Sequence, residues 1–255
     1  MKIVCIKAKH ITTVITMVLL LCMLTLGASV TNSAAVFLGR NPRLVPIYSV
    51  KTEEKKVALT FDAAWGSDKT SKIVEILQKE GLQATFFLVG FWVEANPDKV
   101  KEIYDAGFDI GTHSNTHPKM STLSSAQVTN ELVTSSELIS QITKSSIKFF
   151  RPPYGDYNDQ LISVASNLGL KTIQWDVDTL DWKGLSGEQI LNRVKASVKN
   201  GSIILCHNNS DYILDALPLM ISYLKSEGYK IVKLSELVYD RNYTIDNNGV
   251  QIKNN

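Results

Sequence analysis

The chain is predicted to fold as an α/β protein, a (β/α) barrel of about seven units. Three observations carry that expectation. Short apolar runs alternate strictly with segments of helical period, the runs are apolar on both faces, and polar residues gather where the runs end. Strands apolar on both faces belong in a parallel sheet covered by helices. A doubly wound open sheet satisfies the same alternation and stands as the alternative. With 255 residues, 44% hydrophobic and 20% charged, the chain has the composition of an ordinary globular domain with ample core material. A net charge of +2 is too small to argue for nucleic acid or an anionic membrane surface as a partner.

Lys2, Lys7, Lys9 and His10 precede an apolar run over 11–26 and then small residues, the layout of a secretory signal. Ser33-Ala34-Ala35 loosely fits a cleavage pattern. The stretch 11–30 also approaches spanning length, so a cleaved signal and a retained anchor both stay open. Either way the domain is expected outside the cytoplasmic membrane, secreted, anchored or spore-associated, and in touch with the membrane only through this segment. The expected divisions are a signal or anchor over 1–35, a linker over 36–56, the folded domain over 57–240 and a polar tail over 241–255. Of three cysteines, Cys5 and Cys22 fall in the targeting segment. Cys206 is left without an internal disulfide partner and reads as a small buried apolar residue. A monomer is expected.

In chain order, 57–61 reads as a strand ending in Asp62, and 67–80 as a helix stopped by Gly81. A strand over 84–89 follows, then a helix over 97–106 with Pro97 first and Gly107 last. The strand over 108–111 leads into His113 and His117, and 124–143 is a long helix. A strand over 147–150 runs into Arg151, and 159–168 is helical. The strand over 172–177 ends at Asp178, a helix runs from 185 to about 199, and the strand over 202–206 delivers His207. A helix over 212–227, which Pro218 can kink, a last strand over 229–232 and a short helix over 234–238 complete the series.

In parallel α/β architectures function sits at the carboxyl ends of strands, where the βα loops meet. Asp62, His113, His117, Arg151, Asp178 and His207 all fall there. Two imidazoles four residues apart can point the same way and hold a divalent metal, which lowers the pKa of a bound water. Asp62 suits a general base, with the Arg151 guanidinium keeping it ionised. His207 suits proton donation to a leaving group, with Asp178 holding its other nitrogen. Other readings stay open: Arg151 as a helix cap or surface partner, Asp62 and Asp178 as N-caps, and His207 as a third metal ligand.

Thr60-Phe61-Asp62, His113-Ser114-Asn115-Thr116-His117, Arg151-Pro152-Pro153-Tyr154-Gly155, Asp178-Thr179-Leu180-Asp181-Trp182 and Leu205-Cys206-His207 resemble, in order, the five motifs of the NodB-homology polysaccharide deacetylases, carbohydrate esterase family 4. The chain looks most like their sporulation-associated PdaB-like branch. The resemblance implies a distorted (β/α)7 barrel that hydrolyses N-acetyl groups on amino sugars such as those of peptidoglycan. It also implies a divalent metal, usually Zn, with Co or Mn as alternatives. It casts Asp62 as base, His113 and His117 as ligands, Arg151 as the group positioning Asp62, and His207 as acid tuned by Asp178. The Tyr154 backbone N–H would face the oxyanion, while Trp182 and Leu205 would wall a small acetyl pocket. One departure stands out. The family's first motif carries a second aspartate that ligates the metal, and this chain has Ala63 there. The competing expectation is therefore a glycan-binding or structural barrel that has lost its metal.

Overall fold

The structure is a computed structural model that describes residues 15–23 and 43–254. The chain divides into two compact units, Met1–Arg43 and Leu44–Asn255. In the first, residues 15–23 form helix α1. No helix among the described residues is long and apolar enough to cross a membrane. The rest of the expected signal or anchor, including Ser33-Ala34-Ala35, lies outside the described residues.

The second unit begins with a short strand, β1 (Ser49–Val50), and then the central strand β2 (Lys56–Ala63). Around β2 run β3 (Thr85–Leu88), β4 (Asp109–Thr112), β5 (Phe149–Phe150), β6 (Lys171–Thr172), β7 (Val177–Asp178), β8 (Ile203–His207) and β9 (Lys230–Val232). They form one eight-stranded sheet in the order β6-β5-β4-β3-β2-β8-β7, with β9 on the start of β2. Every ladder in it is parallel. Seven of the eight residues of β2 are buried, as expected of a strand covered on both faces.

The helices α2 (Thr70–Lys79), α3 (Gly90–Ala95), α4 (Pro97–Asp105), α5 (Ser125–Thr143), α6 (Asp159–Asn167), α7 (Gly187–Ser197), α8 (Ile213–Ser226) and α9 (Leu234–Leu237) connect the strands. Local chemistry sets several of their starts. Ser124 with Gln127, and Ser186 with Gln189, form capping boxes at α5 and α7, and Asn158 caps α6. Helix α3 has no counterpart in the sequence reading, because six residues are too few to establish a period.

The sheet curls without a complete hydrogen-bonded ladder. The expected strand over 172–177 is split: its first residues pair with β5 and its last with β8, at opposite edges of the sheet. Residues 173–176 cross the interval, braced by a bridge between Ile47 and Ile173. The doubly wound alternative does not fit this order, which has the two halves of one stretch at its two edges.

The C-terminal stretch expected as a polar tail is structured. β10 (Tyr243–Ile245) and β11 (Val250–Lys253) form an antiparallel hairpin, and β11 adds in parallel to β1. The expected linker thus carries a strand. Asp246 turns the hairpin by accepting from the Asn248 and Val250 amides, and Gly249 supplies a φ of +78°. Gln251 is fully buried and exchanges both amide bonds with the backbone of Tyr239. Polar composition concealed this because its polar groups are satisfied by one another.

Candidate active site

A cavity of about 620 Å³ opens where the carboxyl ends of β2, β4, β7 and β8 converge. Asp62, His113, His117, Tyr154, Asp178, Trp182, Leu205 and His207 all line it. Arg151 lies beneath, fully buried. The residues singled out in sequence therefore meet in one place.

Asp62, at the end of β2, is 5% exposed. Its Oδ1 accepts from Arg151 Nη1 at 2.8 Å. Burial alone would raise its pKa, but the charge and hydrogen bond of Arg151 outweigh it and hold the carboxyl below its usual value. Arg151 is held in turn: Nη2 donates to the Gln174 carbonyl at 3.1 Å, and its guanidinium stacks over Phe87 at 4.2 Å. This excludes Arg151 as a surface partner and Asp62 as a helix cap.

Arg151 also sets the first histidine. Its carbonyl oxygen is 2.7 Å from His113 Nδ1, and a carbonyl can only accept, so Nδ1 carries the proton. The Nε2 lone pair is left toward Asp62 Oδ2, 3.5 Å away. Burial pushes the His113 pKa down, so the ring is neutral, the form that binds a metal.

His117 is lowered to about 4, by burial first and by His113 second, and its Nδ1 is buried without a hydrogen-bond partner. The turn joining the two rings is strained, with φ of 69° at Ser114 and 58° at His117. It is clamped from both sides. Gly90 and Phe91 N–H, at the start of α3, donate to the carbonyls of Ser114 and Asn115. Glu131 of α5 accepts from the amides of Asn115 and Thr116 and from the Thr116 hydroxyl. Gly111, just before the turn, lets β4 approach β3 and β5. A Cβ there would lie 2.7 Å from the Phe87 ring and 2.9 Å from the Phe149 carbonyl.

These two imidazoles, one with a directed lone pair and one with an orphaned nitrogen, fit two positions of a divalent metal site. Ala63 is fully buried in the apolar core, while Ala64 and Trp65 reach the cavity. Among the described residues no group of three His, Cys, Asp or Glu is placed to hold a metal ion.

On the adjoining strand β8, His207 sits in register with Asp62. The expected partner Asp178 is not on its ring. Asp181 is: Oδ1 lies 2.7 Å from His207 Nδ1, and Oδ2 accepts from the His207 amide at 2.8 Å. The Asp178 carboxylate instead accepts from Leu180 N–H, folding a turn with Leu180 at φ +49°. That turn brings Asp181, three residues on, to the imidazole. With Nδ1 occupied, Nε2 is the nitrogen left for the cavity. Burial lowers the His207 pKa, but the hydrogen bond and charge of Asp181, helped by Asp62 and Asp178, raise it above its ordinary value. Asp181 was legible as part of the fourth motif, but its distance from the strand end concealed its role.

Tyr154 occupies a tight turn at φ +61°. The hydrogen bonds of that turn come from the Gly155 and Asp156 amides to Pro152 and Pro153, and none of them uses the Tyr154 N–H. Leu205 is 3% exposed and Trp182 60%, so the former walls the cavity and the latter rims it. Cys206 is buried in β8 and its thiol is pushed up by burial, as an inert core residue.

The polysaccharide deacetylase family profile matches residues 49–173. The chain is 35% identical over 193 residues to the protein YlxY of Bacillus subtilis, a match covering 76% of this chain and 60% of that one. It is 34% identical over 194 residues to a peptidoglycan-N-acetylglucosamine deacetylase of Bacillus cereus, covering 74% and 70%. Among solved structures it superposes at a TM-score of 0.74 and 39% identity on a protein described as a CE4 family pseudoenzyme from Bacillus anthracis, covering 76% and 68%. A mutant of that protein with restored enzymatic activity superposes at 0.73 and 40% identity, covering 76% and 71%. A long match at this identity to named deacetylases, with the site residues gathered in one cavity, places the chain in the polysaccharide deacetylase family.

Proposed function

We propose that this chain removes N-acetyl groups from an N-acetylated glycan, peptidoglycan or a related amino-sugar polymer, in cell-wall or spore maturation. The observation that carries the reading is the pairing on β2 and β8. A carboxylate whose pKa Arg151 holds down stands in register with an imidazole whose pKa Asp181 raises. The names of the B. cereus relative and its kin support the substrate class. The basic-then-apolar N-terminus supports action outside the membrane.

In this reading Asp62 takes a proton from the attacking water as its oxygen bonds to the acetamide carbon. The Tyr154 N–H faces the oxyanion, His207 Nε2–H gives its proton to the departing amine, and the C–N bond breaks to leave acetate and a free amino sugar. Leu205 and Trp182, which both line the cavity, would wall the acetyl pocket. His113 and His117 would hold a divalent metal, Zn²⁺ or alternatively Co²⁺ or Mn²⁺, which supplies Lewis-acid polarisation of the carbonyl.

Protein supplied with Zn²⁺ or Co²⁺ is expected to release acetate from peptidoglycan or chitooligosaccharide. Asp62→Asn and His207→Ala are each expected to cut that release by about a hundredfold or more. Unchanged release in both would overturn the roles.

Ala63, with the likeness to a protein described as a pseudoenzyme, favours a second reading: a glycan-binding barrel without turnover. Metal analysis combined with calorimetry separates them. Glycan binding with neither metal nor acetate release selects the second.

A further inference from the structure

Two residues after Ala63, Trp65 is 56% exposed at the rim of the cavity. Its position is fixed. The ring stands edge-on to His117, centroids 4.8 Å apart at 72°, and leans on Phe91 at 6.2 Å. The next carbonyl, that of Gly66, accepts from Trp92 Nε1 at 2.7 Å and from Asn208 Nδ2 at 2.9 Å. Phe91 is itself 36% exposed. On the other side of His117, Tyr154 packs edge-on at 4.6 Å. Trp65 and Phe91 thus present neighbouring exposed aromatic surface beside His117 at the rim of the cavity.

A rigid aromatic face open to water has apolar area left to cover and little side-chain entropy left to lose. A pyranose ring complements it: one face presents C–H groups to the π-system while the hydroxyls at its edge stay solvated. Because Trp65 touches His117, whatever stacks on it adjoins a ring whose acetamide enters the cavity. Asn209 and Asp211, which line the cavity nearby, offer hydrogen-bonding groups for the sugar edge.

We propose that Trp65, backed by Phe91, is a stacking subsite for the sugar next to the reacting one, so that the chain selects a glycan strand over a free monosaccharide. This rests on the glycan reading above.

Calorimetry on the full chain with N-acetylglucosamine and with tetra-N-acetylchitotetraose tests it without requiring turnover. The unaltered protein is expected to bind the tetramer more tightly than the monomer. Trp65→Ala is expected to weaken tetramer binding about three- to tenfold with little change for the monomer. Trp65→Phe should keep part of the preference and Phe91→Ala should lose less of it, with near-ultraviolet circular dichroism confirming the fold of each. Tetramer affinity unchanged in Trp65→Ala overturns the subsite and leaves the glycan reading standing, as does an equal loss for both sugars. Failure of the unaltered protein to bind either sugar overturns the glycan reading and the subsite together.

Discussion

The two sides of the cavity are completed to different degrees. On the proton-handling side each buried carboxylate has an ion-pair partner, Asp62 with Arg151 and Asp181 with His207. On the ligand side His113 is oriented by a carbonyl and His117 keeps an orphaned buried nitrogen, while Ala63, where the family pattern has an aspartate, packs in the apolar core. The contrast follows from what each group leans on. Breaking a buried ion pair strands a charge in low dielectric and penalises folding itself. A carboxylate whose partner is a metal is an unpaired buried charge in the metal-free protein, and alanine there simply packs. The fold thus defends the Asp62–Arg151 and His207–Asp181 pairs, but it does not defend a carboxylate at position 63.

The most severe way to break this asymmetry is Arg151→Ala. It removes the counter-charge of Asp62 and the stack on Phe87 at once. A loss of about 3–5 kcal/mol is expected in denaturant unfolding, and a loss under 1 kcal/mol would mean that the pair does not support the fold.

Asp181→Asn is expected to be milder and dependent on pH. The folded pKa of His207 lies above its ordinary value, so the stabilisation it brings is complete below the ordinary histidine range and fades as pH rises through the folded value. The substitution should cost about 1.5–3 kcal/mol at mildly acidic pH and less in alkali. The alkaline limb of acetate release should move to lower pH as His207 loses its proton more readily. Asp178→Asn should leave that limb nearly where it is. The reverse ranking would return Asp178 to the role expected of it from sequence.

The smallest effect sharpens the ligand side. Ala63→Asp should lower metal-free stability, because it buries an unpaired carboxylate, and raise Zn²⁺ affinity on the order of tenfold. The midpoint of thermal unfolding should climb with added Zn²⁺ more steeply than in the unaltered protein. Equal climbs would show that position 63 does not face the metal.

Much of this was legible beforehand. The parallel alternation, the convergence of Asp62, His113, His117, Arg151 and His207, and the burial of Cys206 follow from apolar runs and from polar residues at their ends. Other features were hidden for identifiable reasons. Asp181 lies beyond a turn whose course depends on Leu180 adopting a left-handed conformation, which a Leu does not announce. Glu131 reaches the histidine turn from mid-helix, where a Glu reads as a solvated face. The expected strand over 172–177 has one apolar pattern, yet its ends pair with different neighbours, which pattern alone does not distinguish. Nothing in sequence places the Trp65 ring against His117.

The sequence by itself determined the class of fold, the end of the sheet at which chemistry gathers, and the absence of a carboxylate at position 63, because burial period and residue type are local properties of the chain. Tertiary structure alone decided which aspartate serves His207, which tautomer His113 carries, and how an apparently polar tail folds back onto β1. Each of these depends on a hydrogen bond between residues far apart in sequence or across a turn, and its 2.7–2.9 Å geometry exists only once the sheet has curled and brought its partners together.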